Sequence, residues 1–268
     1  GEANDLWYFD NPGNRLVNYP ISGKFAIFDS DNYSKNDKKE KVILESPYFD
    51  ASISSNIILY FDHYFVGGNG GKGTIEAYNG FLWESIFTIT ETSSNPEKRI
   101  INISDLVGGV SNAKLRFVWE SDSGYYWAID NIKLFSPLSL DASIVDIIEP
   151  TMPFNAGNKT IKASLGNMGA VNLTSATIKW SVNGVMQSDY IWNGNLSIGE
   201  VVNLNIGNYD FISGKKNEIK VWQTNPNNGI DLNNQNDTSK NILYAALCGI
   251  YTIGGESADF TNFTDAVT

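Results

Sequence analysis

Short apolar and aromatic runs separated by turn-forming clusters constrain the fold of this chain more than any other feature of its sequence. The first series of such runs lies at 24–28, 41–44, 56–65, 74–78, 82–90, 113–119 and 126–135. Clusters rich in Gly, Asn and Asp separate them, including Asn79-Gly80 and the glycine-rich run 67–73. These residues supply the left-handed backbone and local side-chain caps that tight turns need. The pattern predicts short strands joined by turns, with one short helix around 103–107.

A second series follows a proline-containing linker at 136–141. Its runs lie at 143–148, 159–165, 176–182, 187–192, 201–206, 217–222 and 239–244. This number of short strands over about a hundred residues is typical of an immunoglobulin-type sandwich. We therefore expect an all-β chain with one module at 1–137 and a second at 138–245. Residues 246–268 are too few to close another core, and we expect them to begin a further domain.

The charge and the scarcity of reactive residues exclude several function classes. A formal net charge of −11 offers no basic surface for nucleic acid. No apolar run approaches the length of a membrane span. Cys248 is the only cysteine and His63 the only histidine, so an intrachain disulfide, a thiolate zinc cage and a multi-histidine zinc site are all excluded.

Catalysis by the chain is not expected. A serine triad would have to use His63, and the sequence has no Gly-x-Ser-x-Gly elbow. Paired carboxylates are the other route, since two of them suffice for glycoside hydrolysis. The nearest acids, Glu84, Glu91 and Glu120, are expected at strand ends or turns and not together on one strand face. We therefore predict that the chain is not an enzyme, with a glycoside hydrolase as the least favoured alternative.

Four segments of the first module resemble the MAM-like and cleaved-adhesin jelly-roll domains. They are FAIFDSDNYS (25–34), VILESPYFDAS (42–52), ILYFDHYF (58–65) and YYWAIDNIKLF (125–135), and the resemblance covers residues 1–137. It implies two antiparallel sheets in a jelly-roll, which in this family commonly holds a structural calcium ion.

The second module resembles the Ig-like adhesion-related domains of bacterial exoproteins, through WSVNG (180–184), WNGNL (192–196) and the ending 228–237. Three tryptophans of this module, Trp180, Trp192 and Trp222, fall on its predicted strands and are expected in its core. The segment after residue 245 resembles the opening strand of a parallel β-helix domain.

An oxygen-rich set of residues in the first module provides candidate ligands for the calcium ion that the resemblance implies. Asp29, Asp31 and Asn32 crowd a turn after a strand, and Asp130 lies on the closing strand, which in a jelly-roll returns beside the early strands. Calcium takes six to eight oxygen ligands, so these residues are candidate ligands of a structural Ca²⁺, with Asp62 as a lesser one. The alternative is an Asx-turn at 29–32 and a hydrogen-bonded Asp130 without a metal.

Aromatic side chains at strand edges are candidates for binding sugars. Trp83, Tyr125 and Tyr126 are the candidate ligand-binding residues, and Tyr125 follows Gly124 at a loop edge. Trp119 and Trp127 have apolar neighbours on strands and are expected in the core.

The sequence thus favours non-catalytic adhesion or spacer modules of a secreted or cell-surface multidomain bacterial protein. We expect a monomer that binds an extracellular protein or glycan surface. The alternative is a carbohydrate-binding module that targets a glycan-active enzyme domain elsewhere in the parent chain.

Overall fold

The chain is all-β in a computed structural model that describes residues 6–33, 39–68, 70–121, 124–247 and 250–264. It forms an antiparallel jelly-roll sandwich followed by an Ig-like β-sandwich, so the predicted fold class is confirmed. Cys248 lies outside the described residues. Among the residues described, no helix has the length and apolar character needed to cross a membrane.

Two four-stranded sheets face each other in the first module, ordered β1-β8-β3-β6 and β2-β7-β4-β5. Neighbouring strands in both sheets are antiparallel. The strands are β1 (Ala26–Asp29), β2 (Glu40–Glu45), β3 (Ile58–Val66), β4 (Lys72–Tyr78), β5 (Trp83–Ile89), β6 (Glu97–Asn102), β7 (Lys114–Ser121) and β8 (Tyr126–Phe135). Two one-turn helices accompany them, α1 (Ser30–Tyr33) and α2 (Ser104–Val107), the second at the predicted place.

Aromatic side chains fill the space between these two sheets. Trp119 and Trp127 are fully buried, as predicted. The ring of Phe65 lies between them, with centroids 5.4 Å from Trp119 and 5.8 Å from Trp127. Strand β3 is buried on both faces because the N-terminal segment, including Ile21 and Phe25, packs against the outer side of its sheet. This double burial explains why the run 57–65 is almost continuously apolar.

The second module is also a sandwich of two sheets. One is β15-β11-β9, and the other is β10-β17-β16-β12-β13 with β14 paired to β12. The strands are β9 (Ala142–Glu149), β10 (Phe154–Asn155), β11 (Gly157–Asn167), β12 (Leu173–Val182), β13 (Val185–Met186), β14 (Tyr190–Leu196), β15 (Val201–Phe211), β16 (Lys216–Thr224) and β17 (Thr238–Ala246). A short 3-10 helix, Pro226–Asn228, follows β16.

Two of the three tryptophans predicted in the second core lie there. Trp180 and Trp192 are buried between the sheets, whereas Trp222 is only partly buried. Its neighbours Val221 and Gln223 point into the sandwich, so Trp222 points outward on the alternating strand β16. There the ammonium group of Lys220 lies 4.8 Å from its ring centroid. The core prediction for Trp222 is therefore wrong.

Tight turns occur at two Asn-Gly pairs that join neighbouring strands. Gly80 joins β4 to β5 with φ +91°, and Asn183-Gly184 joins β12 to β13 with φ +50° and +80°. These left-handed conformations are accessible to glycine and asparagine at little cost, which is why the sequence signal is reliable there.

Candidate functional site

The predicted calcium ligands of the 29–32 turn contact an arginine. Asp29 is 0% exposed and accepts two hydrogen bonds from Arg15, Nε to Oδ2 at 2.8 Å and Nη2 to Oδ1 at 2.7 Å. The same Nη2 lies 2.6 Å from Oδ2 of Asp31. The backbone N–H of Asn32 donates to Asp29 Oδ1 at 3.1 Å, the kind of local side-chain contact expected of an Asx-turn. Both carboxylates raise the pKa of Arg15, so the guanidinium supplies the positive charge beside them.

The remaining two predicted ligands form a separate pair. Asp62 of β3 and Asp130 of β8 are register partners. The amide of Asn131 donates to Asp62 Oδ2 at 2.8 Å, and Tyr60 OH donates to Asp62 Oδ1 at 3.2 Å. Asp130 accepts from the backbone of Ser22 at 3.2 Å and of Asn131 at 2.8 Å. Burial raises the pKa of Asp62.

The two groups do not meet at a common centre. Asp29 pairs with Tyr126 across β1 and β8, so Asp130 lies four residues further along β8, about 13 Å away at the usual strand rise. Within the described residues, no group of three or more His, Cys, Asp or Glu side chains is arranged to hold a metal ion. A single site built from all five predicted ligands is therefore not assembled, and calcium binding stays a prediction. Sequence reasoning missed Arg15 because its partners are 14 and 16 residues away, outside any local pattern.

The single histidine belongs to the core. His63 is fully buried, and its Nδ1 accepts a hydrogen bond from Trp127 Nε1 at 3.3 Å. Burial, with the nearby positive charge of Arg99, lowers the pKa of His63 to about 3. The imidazole is therefore neutral at physiological pH and stabilises the interior of the sandwich.

Trp83 lies on the outer face of the sheet β2-β7-β4-β5, next to other aromatic residues. It pairs with Tyr78 of β4, and their ring centroids are 5.4 Å apart. The guanidinium of Arg116 lies 4.2 Å from the Trp83 ring centroid and is also bonded to Glu76. Alternation places Glu76 and Tyr78 of β4 on the same face as Arg116 of β7.

The aromatic row continues across the sheet. Lys114 is the register partner of Tyr78 on β7 and is bonded to Glu45. Its ammonium group lies 4.2 Å from the ring of Tyr48. Tyr48 is 65% exposed, and Phe81 at the tip of the β4–β5 hairpin is 91% exposed. We call Tyr48, Tyr78 and Trp83 the aromatic strip.

The other two predicted ligand-binding residues lie elsewhere. Tyr125 is 47% exposed, and its ring covers Gly68 in the loop before β4. Tyr126 is covered by the guanidinium of Arg15, 5.0 Å from its ring centroid. Trp83 pairs with the opposite end of β4, about 20 Å from that loop at the usual strand rise. The structure therefore does not bring the three predicted residues together on one surface.

The linker, residues 136–141, is bonded to the second module along most of its length. Ala170 N donates to Leu138 O at 2.7 Å, and Val171 N donates to Ser139 O at 3.0 Å. Two further bonds run from Leu232 N to Leu140 O at 3.1 Å and from Met168 N to Asp141 O at 2.8 Å. On the side of the first module, Ser136 Oγ lies 2.7 Å from Ser54 Oγ. The linker is thus held as part of the fold.

Side chains also connect the two modules directly. Lys98 of β6 donates to Val145 O of β9 at 2.9 Å and pairs with Asp146 at 3.4 Å. The turn at Gly199 approaches Asn102, where an added Cβ would lie 3.2 Å from the backbone nitrogen. Between the modules lies a cavity of about 600 Å³, lined by residues from both.

Comparisons with known proteins give only distant similarities. No family model matches the chain, and no curated protein matches it. A CARDB domain from Pyrococcus furiosus, solved in complex with di-metal ions, is 15% identical with a TM-score of 0.33 over 42% of this chain and 98% of that one. The carbohydrate-binding module TmCBM61 in complex with β-1,4-galactotriose is 17% identical, with a TM-score of 0.32 over 43% of this chain and 73% of that one.

A longer alignment involves an enzyme. The β-glucuronidase of Bacteroides uniformis is 10% identical with a TM-score of 0.42, over 88% of this chain. The match spans only 30% of the enzyme chain. At these identities and TM-scores the similarities say nothing about activity or ligand.

Proposed function

We propose that the chain is a non-catalytic adhesion and spacer unit of a secreted or cell-surface multidomain bacterial protein. A spacer needs a fixed geometry between its ends. The bonded linker is the observation that carries the proposal, because a flexible tether would leave the backbone groups of 136–141 to water. The direct contact of Lys98 with the second module adds to this support.

The proposal assigns a MAM-like or cleaved-adhesin type to 1–137, an adhesion-related Ig-like type to 138–245, and the start of a further, parallel β-helix domain to 246–268. It includes a structural calcium ion in the first module and a monomeric state. The absence of catalysis is supported by the position of His63, which is neutral and enclosed in the core. A base for proton transfer has to reach the substrate, and His63 does not lie at the surface.

Small-angle X-ray scattering tests the rigid spacer. One variant carries a Gly-Ser insertion between Ser136 and Pro137, which separates the attachment of Ser136 to the first module from the backbone bonds of 138–141 to the second. We expect the unmodified chain to give the scattering curve calculated from its docked modules, and the insertion variant to show a larger radius of gyration. If both proteins give the same scattering curve, and its radius of gyration is that of independently moving modules, the proposal is contradicted.

A second candidate function is glycan binding at the aromatic strip. Sugar-binding surfaces combine aromatic faces with a few well-placed polar groups. Here Tyr48 and Trp83 supply aromatic surface, and the charged pairs of Arg116 with Glu76 and of Lys114 with Glu45 flank it. This would make the adhesion partner a glycan, or make the chain a targeting module for an enzyme domain.

A glycan array followed by titration of the best ligand tests this function. Trp83→Ala should abolish binding, whereas Tyr125→Ala should leave it unchanged, because Tyr125 lies about 20 Å from the strip. If the array is blank, or if only Tyr125→Ala weakens binding, the aromatic strip is not a sugar site.

A further inference from the structure

Three aspartates meet where the linker joins the second module. Asp141 is the last linker residue, and Asp231 and Asp237 lie in the loop between β16 and β17. Asp141 is 3% exposed and Asp231 is 8% exposed. Buried carboxylates of like charge are costly unless the charge is compensated. We call these three residues the junction aspartates.

The amide of Gln223 lies between two of these carboxylates and the start of β9. Its Nε2 donates to Asp231 Oδ2 at 2.8 Å, to Asp237 Oδ1 at 2.6 Å and to Ala142 O at 3.1 Å. An amide nitrogen has two hydrogens, so three acceptors compete for two donors. Gln223 is 1% exposed, and its Oε1 has no hydrogen-bond partner in the described residues. The network therefore has too many acceptors and too few hydrogens.

The other donors in the network are already used. The backbone N–H groups of Ala142 and Asn233 donate to Asp231 Oδ2 and Oδ1, each at 2.8 Å. Asn236 Nδ2 donates to Asp141 Oδ1 at 2.8 Å, and Asn233 Nδ2 donates to Asp141 Oδ2 at 3.1 Å. The Oδ1 of Asn236 is buried and, among the described residues, has no partner. A proton on one of the junction carboxylates would turn an acceptor into a donor and would remove one negative charge.

The nearby lysine side chains contact groups other than the junction aspartates. In the described part of the chain, no ion pair joins a lysine or arginine to a junction aspartate. Lys98 and Lys133 of the first module line the same cavity as Asp141, but Lys98 is paired with Asp146 of β9. Lys133 has its ammonium group over the ring of Tyr60 at 5.5 Å. On β17, Lys240 is exposed.

The pKa shifts of two junction aspartates follow from this geometry. Burial raises the pKa of Asp141, and the charge of Asp231 adds to the effect. Burial, together with the negative charges of Asp231 and Asp141, raises the pKa of Asp237 to about 6. The cavity beside Asp141 gives solvent a path to the cluster.

We propose that the cluster of junction aspartates takes up one proton, at Asp237, in mildly acidic conditions and releases it near neutral pH, which makes the attachment of the linker to the second module pH-sensitive. The folded state holds this proton more tightly than the unfolded chain does. Its stabilising effect is therefore fully present below the unfolded pKa of about 4 and is lost as pH rises through about 6. This regulation is additional to the spacer function and does not depend on it.

Carbon-13 NMR of the aspartate carboxyl groups measures the proton directly, since each carboxyl shift follows its own ionisation. We expect the Asp237 signal to titrate near pH 6. An Asp237 carboxyl signal that titrates in the ordinary range of about 4 would overturn the proposal.

Thermal melting of the second module tests the consequence, followed through the indole signals of Trp180 and Trp192. The midpoint should fall by about 3–6 °C between pH 5 and pH 8, whereas Asp237→Asn should remove most of this fall and the exposed control Asp210→Asn should keep it. If Asp237→Asn does not fold, the carboxyl titration of the unmodified chain still decides the question. If millimolar calcium at pH 8 restores the midpoint in the unmodified chain but not in Asp237→Asn, a metal ion and not a proton balances the cluster, and the proposal fails.

Discussion

Replacing Arg15 with methionine tests the charge balance of the first module. The substitution keeps the length of the apolar stem but removes the guanidinium that bonds both oxygens of Asp29. Asp29 is fully buried, so its carboxylate would be left without a compensating charge. Removing one partner of a buried pair costs about 3–5 kcal/mol of unfolding free energy. Because Arg15 is itself 22% exposed, water can partly replace it, and we expect about 3 kcal/mol, the low end of that range.

Urea denaturation of four proteins isolates the interaction: the unmodified chain, Arg15→Met, Asp29→Asn and the double variant. The double variant should cost less than the sum of the single variants by about 2 kcal/mol or more, since neither partner is then left unpaired. Lys24→Met is the matched control, because Lys24 is exposed and its replacement should change stability by less than about 0.5 kcal/mol. A cost below about 1 kcal/mol for Arg15→Met, or additive single effects, would refute the reasoning.

The same variant bears on calcium. Loss of the guanidinium leaves the carboxylates of Asp29 and Asp31 open to a cation. We therefore expect millimolar calcium to raise the melting midpoint of Arg15→Met more than that of the unmodified chain. If calcium shifts neither protein after chelation, the proposal of a calcium site at this turn fails.

Three further predictions concern the core, acid stability and the junction. Trp127→Ala should destabilise the first module by about 3–5 kcal/mol in urea denaturation, because the ring is fully buried among other aromatic rings; a cost under about 1 kcal/mol would mean that the core is loosely packed. His63 has a folded pKa of about 3, below its unfolded value of about 6.5, so its contribution is present above pH 6.5 and is lost as pH falls toward 3; His63→Phe should flatten this part of the urea midpoint-against-pH curve, and an unchanged slope would exclude His63 as its cause. Lys98→Met should increase motion between the modules, so the NMR relaxation rates of the two modules should differ from each other more than in the unmodified chain, whereas Lys240→Met should leave this difference unchanged. If the difference between the modules is the same in both variants, Lys98 does not fix the junction.

The strand pattern and the turn residues were predictable from sequence because they are local. Alternating apolar residues and Asn-Gly pairs act within a few positions, and Gly80 and Gly184 adopt the backbone conformations that those pairs predict. The buried state of Trp119 and Trp127 also followed from their apolar neighbours.

Features that depend on distant pairing were not predictable. Arg15 reaches Asp29 across a turn, and the junction aspartates come together only when the linker folds against the loop between β16 and β17. The aromatic strip combines Tyr48 and Trp83 from opposite edges of a sheet whose strand order and register the sequence does not reveal. The prediction that Trp222 lies in the core was wrong for the same reason, since strand alternation fixes which face is buried only once the register is known.

Residual dipolar couplings of the whole chain test the central claim that the two modules form one rigid spacer. Couplings from 26–135 and from 142–246 each define an alignment tensor for their module. If the modules are fixed, both tensors have the same magnitude and their axes coincide when the couplings are fitted to the docked structure. Tensors of clearly different magnitude would mean that the modules reorient independently, and would contradict the claim.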